Sequence, residues 1–124
     1  MRVPGFIVRQ FYVKGSLRNA EGGFQLEARN PLGDGRLVGI GRFAVDGEPI
    51  DPANVSAIRD GDADWTRGDE VSATSPVAFH KGDRVTFHVA GKALAPGKHH
   101  LEVEIFERDA GRLSLTLDDE IAQG

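Results

Sequence analysis

The sequence has no cysteine, one methionine, one tryptophan and one tyrosine, no long apolar run and no block of basic residues. Without cysteine there is no thiolate nucleophile, no Cys-type zinc site and no disulfide framework, and the chain needs no oxidising compartment. At 124 residues it can do without such staples, because a chain of this size buries roughly two thirds of the surface its unfolded form exposes. No segment could span a bilayer. The first nine residues are interrupted by Pro4 and Gly5, unlike the continuous apolar stretch of a secretion signal, so a soluble, cytoplasmic protein with no membrane partner is expected. Fifteen basic against nineteen acidic residues leave a net charge of −4 spread along the chain. A phosphate-binding footprint is missing, and nucleic acid is not an expected partner.

What is present is alternation with period two, cut by Gly and Pro at intervals of about ten residues, the signature of an all-β chain. Val85, Phe87 and Val89 alternate with Thr86 and His88, and Leu101, Val103 and Ile105 alternate with His100, Glu102 and Glu104. Phe11 to Leu17 and Phe24 to Ala28 read as a hairpin around Asn19–Gly23, and Leu37 to Val45 reads as a strand closed by Asp46-Gly47. Val55 to Ile58, Glu70 to Thr74 and Leu113 to Leu117 are further strand candidates. In Ala95-Pro96-Gly97-Lys98, proline presets the first corner of a type II turn and glycine supplies the positive φ at the second. The reading is a single domain over 1–124, a two-sheet antiparallel sandwich of jelly-roll type, with an N-terminal arm over about 1–10 and a solvated C-terminal tail over about 118–124.

No catalytic constellation stands out, and no residue is assigned a catalytic or cofactor-binding role. Four histidines are present. His100, Glu102 and Glu104 fall on one face of a strand and could bind a divalent metal, with His88 joining them if its strand is adjacent; the plainer account is a solvated or subunit-facing surface. His99 and His100, as consecutive strand residues, point to opposite faces. Gly33-x-Gly35 and Gly39-x-Gly41 are tempting phosphate loops, but a strand continues where a dinucleotide fingerprint would open a helix. Close sheet packing at Gly39 and Gly41 is the expectation. Trp65, in a polar loop, either tucks back over the core rim or anchors a partner, and Leu32 poses the same choice. Asp118-Asp119-Glu120 reads as a hydrated acidic cluster.

Three segments carry a resemblance: the loop Asn30-Pro31-Leu32-Gly33; Val45-Asp46-Gly47-Glu48-Pro49-Ile50-Asp51-Pro52 with a short strand ending at Asp60-Gly61; and Leu94 through Val103. In their order and spacing the chain resembles the small β subunit of bacterial C-glycoside deglycosidases. The resemblance implies an accessory subunit in a hetero-oligomer with a larger α subunit of sugar-isomerase-like barrel fold. That partner would hold a divalent metal, manganese in that family, and the base. The complex would cleave the carbon-carbon bond between a 3-oxo-glycosyl group and an aromatic aglycone by elimination, with the glycoside at or near the interface. Asn30, Pro31, Leu32, Arg36 and Trp65 are the interface candidates. Two other readings stay open: a stand-alone carbohydrate-binding sandwich, for which one Trp and one Tyr give few stacking platforms, and a small metal-dependent isomerase or lyase built on His88, His100, Glu102 and Glu104.

Overall fold

The period-two runs form strands, as their β-branched and aromatic content favours. A computed structural model describes residues 1–122. Helix α1 (Gly5–Phe11) precedes ten strands: β1 (Arg18–Ala20), β2 (Gly23–Arg29), β3 (Gly35–Val45), β4 (Glu48–Ile50), β5 (Val55–Arg59), β6 (Thr66–Arg67), β7 (Val77–Phe79), β8 (Arg84–Ala90), β9 (Gly97–Glu107) and β10 (Gly111–Ile121). They form two sheets. One has the order β1-β2-β8-β5-β6, and the other β10-β9-β3-β4, with β7 also on β3. Every strand pairing is antiparallel. The chain is the expected all-β, two-sheet sandwich.

Inward-facing residues of both sheets fill the space between them. Val55, Val85, Val89 and Leu101 are at most 2% exposed, as are Leu37 and Phe43. On β3 the first three buried side chains, Leu37, Ile40 and Phe43, are spaced by three where a regular strand would space them by two, and Ala44 and Val45 follow them into the core. Two register shifts against β9, between Leu37 and Gly39 and between Ile40 and Phe43, account for this. Each inserts extra backbone and returns the next large side chain to the core face. A Cβ on Gly39 would lie 2.9 Å from the Phe106 ring, and one on Gly41 would collide with the Glu104 carboxylate. The two glycines are the close-packing sites expected, since side chains of β9 lie across them.

The ends of the chain differ from the sequence reading. The proposed arm over 1–10 is structured. Met1 and Val3 bond to Ser114 on β10 through Ser114 N–H to Met1 O and Val3 N–H to Ser114 O, both 2.8 Å, which shields part of an edge strand. Helix α1 then turns Val8, 4% exposed, onto the core. Pro4 does not exclude this helix, because it sits at the N-cap, where its carbonyl accepts from Ile7 and Val8 and its missing N–H is not needed. The expected strand from Phe11 to Leu17 is therefore the end of a helix, a single antiparallel bridge of Tyr12 to Ala28 and a turn, and the hairpin partner of β2 is β1. The tail over 118–124 is corrected as well: Asp118 to Ile121 complete β10, and Ile121 is buried; residues 123 and 124 lie outside the described residues. Glu70 to Thr74 is a loop, while β6 and β7 lie in segments not read as strands. Among the described residues no helix is long and apolar enough to cross a membrane.

Candidate functional site

The metal-site candidates do not come together. His100, Glu102 and Glu104 share the outer face of β9, but β8, which carries His88, pairs with β2 and β5 in the other sheet. His88 is therefore corrected out of the set by topology. Each of the rest has its own neighbour: His100 Nδ1 lies 2.8 Å from Asp118, Glu102 accepts from Arg42 at 3.3 Å, and Glu104 lies 3.8 Å from Arg112. Among the described residues no three His, Asp or Glu side chains are grouped to hold an ion. His99 and His100 do point to opposite faces, their side chains 10% and 47% exposed.

Several ionisable side chains are displaced from their ordinary protonation, and each ties backbone segments together. The Tyr12 hydroxyl donates to Asp119 Oδ2 at 2.5 Å, and the Gly15 N–H donates to the same oxygen at 2.9 Å. Burial, reinforced by that carboxylate, pushes the Tyr12 phenol well above its usual range. Burial alone would raise Asp119, but hydrogen bonds from Tyr12, Glu120 and Gly15 outweigh it and hold the carboxyl below its usual value. Asp119, expected in a hydrated cluster, is thus a buried clamp between β10 and the turn after α1. Glu107 is similar: burial opposes its ionised form, yet the Ala110, Asp109 and Arg36 N–H groups keep it low. It closes the β9–β10 hairpin.

His99 and Asp46 look at first like a catalytic dyad, with Nδ1 2.6 Å from Asp46 Oδ2. A general base needs a free ring nitrogen facing its substrate. Here Nε2 lies 2.7 Å from the Ala95 carbonyl oxygen, so the second nitrogen is already engaged.

Of the interface candidates, Asn30 is 5% exposed and organises its loop from beneath. Its Nδ2 donates to the carbonyls of Gly33 and Phe79 at 2.5 and 2.7 Å, and its Oδ1 accepts from the Leu32 N–H at 3.0 Å. Its backbone bonds to Asp83 and Gly82. This Asx-type arrangement fixes the short loop that presents Pro31 and Leu32, the latter 64% exposed. Arg36 belongs to β3 and not to the loop, with its N–H on Glu107 and its carbonyl accepting from Arg108. Trp65 folds back on the outer face of the first sheet, edge-on to His88 with ring centroids 6.1 Å apart, and remains 45% exposed. Arg29 pairs with Arg84, and four residues of strand from there to His88 span about 13 Å. Leu32 thus follows one end of the β2–β8 ladder, and Trp65 lies against His88 further along it. The Asn30 framework and the His99 clasp were missed in the sequence, although Asn-Pro and Asp-Gly both announce turns where side chains bond to nearby backbone.

A model of the family described as hydroxymethylglutaryl-CoA reductase, N-terminal domain, matches residues 7–122. No curated protein matches the chain. The family match overturns the resemblance to C-glycoside deglycosidase β subunits, and with it the lyase function and its carbohydrate-binding alternative. The motifs behind that resemblance are corners: an Asx loop at Asn30, a hairpin turn at Asp46-Gly47 with φ of 52° and 84°, and a bend at Gly97 with φ 114°. Such corners are required wherever short antiparallel strands reverse, so they report the architecture and not the family. The manganese-bearing α subunit was implied only by that resemblance.

Proposed function

The chain belongs to the hydroxymethylglutaryl-CoA reductase N-terminal domain family, and from that premise we propose that it is a docking module of a reductase acting on hydroxymethylglutaryl-CoA, seated on the catalytic part through the Asn30–Gly33 loop. The observation that carries this is the contrast between Leu32, 64% exposed, and Asn30, 5% exposed. A buried side chain makes four hydrogen bonds to hold a surface leucine outward. An apolar side chain on a pre-ordered loop loses little entropy when it enters a pocket, which is what makes a few residues dominate an interface. Trp65, half-exposed against His88, is a second anchor. The displaced ionisable groups support a binding role over a chemical one, since Tyr12, Asp119, Glu107 and Asp46 are each engaged in holding strand ends and turns. A cytoplasmic setting belongs to the same reading.

The test is a binding titration of this chain against the catalytic part of the reductase, with Leu32→Asp and Trp65→Ala compared with the native sequence. Leu32→Asp should weaken association at least tenfold, about 1.4 kcal/mol, with the thermal midpoint unchanged. Unaltered affinity in a folded Leu32→Asp variant would refute the assignment.

A further inference from the structure

The His99 clasp has a chemistry of its own. Its two ring nitrogens face two oxygens that can only accept: Asp46 Oδ2 at 2.6 Å and the Ala95 carbonyl at 2.7 Å. A neutral imidazole has one N–H and one lone pair. In either tautomer one of these contacts would set a lone pair against an oxygen, so both are favourable only for the imidazolium. The side chain is 10% exposed, which limits the water that could replace a lost partner.

The clasp joins three segments. Asp46 sits in the β3–β4 turn and also takes the His100 N–H on Oδ1 at 2.9 Å. Ala95 belongs to the connection between β8 and β9. That connection is fixed at a second point by Asn19, whose side chain accepts from the Leu94 N–H at 2.8 Å and donates to the Leu94 carbonyl at 2.9 Å. It lines an open depression of about 420 Å³ together with Phe24, Val45, Asp46, Glu48, Ile50 and Val89. Asn19 does not titrate in the physiological range, whereas histidine does.

We propose that His99 is a proton-operated latch: protonated, it ties the Gly91–Pro96 connection to the β3–β4 turn, and deprotonated, it frees Ala95, leaves the connection held by Asn19 alone and widens the depression at this end of the sandwich. The Ala95 carbonyl and then Asp46 favour the charged ring, raising His99 above its ordinary value against the opposing effect of burial. For a group raised on folding, the stabilisation is complete below the unfolded-state value of about 6.5 and is lost as pH rises through the folded-state value. Asp119, the cross-strand partner of His99 on β10, is engaged by Tyr12 and Gly15, while His100 and Lys98 project to the other face of β9. Lys14 Nζ lies 3.9 Å from Asp119 Oδ1. Glu48 and Lys92 line the depression.

The experiment follows the His99 ring nitrogens by NMR in the full chain between about pH 5 and 9, together with hydrogen-exchange protection of the Leu94 amide corrected for intrinsic base catalysis. The latch predicts a His99 midpoint above about 6.5 and a fall in Leu94 protection across the same interval. Asp46→Asn should bring the midpoint down and shift that fall with it, and His99→Gln should make Leu94 protection independent of pH. If His99→Gln does not fold, Asp46→Asn decides. A native midpoint at or below 6.5, or Leu94 protection constant through the midpoint, overturns the proposal.

Discussion

Replacing Tyr12 with phenylalanine removes one hydroxyl and tests whether β10 is clamped from within. In the native chain that hydroxyl donates to Asp119 at 2.5 Å, and the two residues are 9% and 4% exposed. Asp119 keeps the Gly15 and Glu120 N–H donors at 2.9 and 2.8 Å, so the carboxylate is weakened in support but not orphaned. A hydrogen bond to a charged, buried acceptor contributes about 1.5–3 kcal/mol. For a domain of this length that corresponds to a fall in thermal midpoint of roughly 6–12 °C. The loss should depend on pH in a defined sense. Asp119 is held low in the folded state, so its contribution is present above the unfolded carboxyl value of about 3.9 and is lost as pH falls through the folded value. The gap between native and Tyr12→Phe should therefore be widest near neutrality and close on acidification. Calorimetry from neutral to acid pH measures both. A gap under about 0.5 kcal/mol at neutral pH, or one that does not change with pH, would refute the clamp.

Asn30→Ala should destabilise the chain by about 1–3 kcal/mol, since the Phe79 carbonyl loses its side-chain donor at a buried position; urea unfolding with exchange at Leu32 and Gly33 measures the loss and the loosened loop. Gly39→Ala should cost about 1–3 kcal/mol because the Phe106 ring occupies the space its Cβ would take, and pairing it with Phe106→Leu should recover part of that in a double-mutant cycle.

Much of the sandwich was legible because a sheet with one face buried must alternate. Val85-Thr86-Phe87-His88-Val89 and Leu101 through Ile105 carry the pattern without interruption, and Asp46-Gly47 names its own turn. Three features were not legible, each for a physical reason. The bulges in β3 break the period locally, and only the pairing with β9 shows why Ile40 is buried while Arg42 is exposed. Helix α1 is seven residues long, and its spacing of Ile7 to Phe11 and Val8 to Tyr12 is too short a run to outweigh Pro4, Gly5 and β-prone side chains. Asp119 reads as solvated between Asp118 and Glu120, yet it continues the alternation Leu117, Asp119, Ile121. Its inward direction is matched by Tyr12 and Gly15, more than a hundred residues earlier in the sequence.

At the candidate site the residue types were found but their roles were redistributed. Leu32 and Trp65 are exposed as an interface reading requires. Asn30 supports the loop from beneath it, and Arg36 lies in the strand that follows. The stripe His100, Glu102 and Glu104 is real, but cross-strand and adjacent side chains engage each member separately. A sequence shows which residues share a strand face; which strand lies beside it, and hence whether His88 could join, is decided by the sheet order.

The most direct test of the docking account is a hydrogen-exchange footprint of this chain, free and mixed with the catalytic part of its reductase at saturating concentration. The account predicts protection gained at Leu32 and Gly33 and in the Asp64–Thr66 segment, with the buried ladder of β8 unchanged. Protection confined to other surfaces, or no change anywhere on the chain, would contradict it.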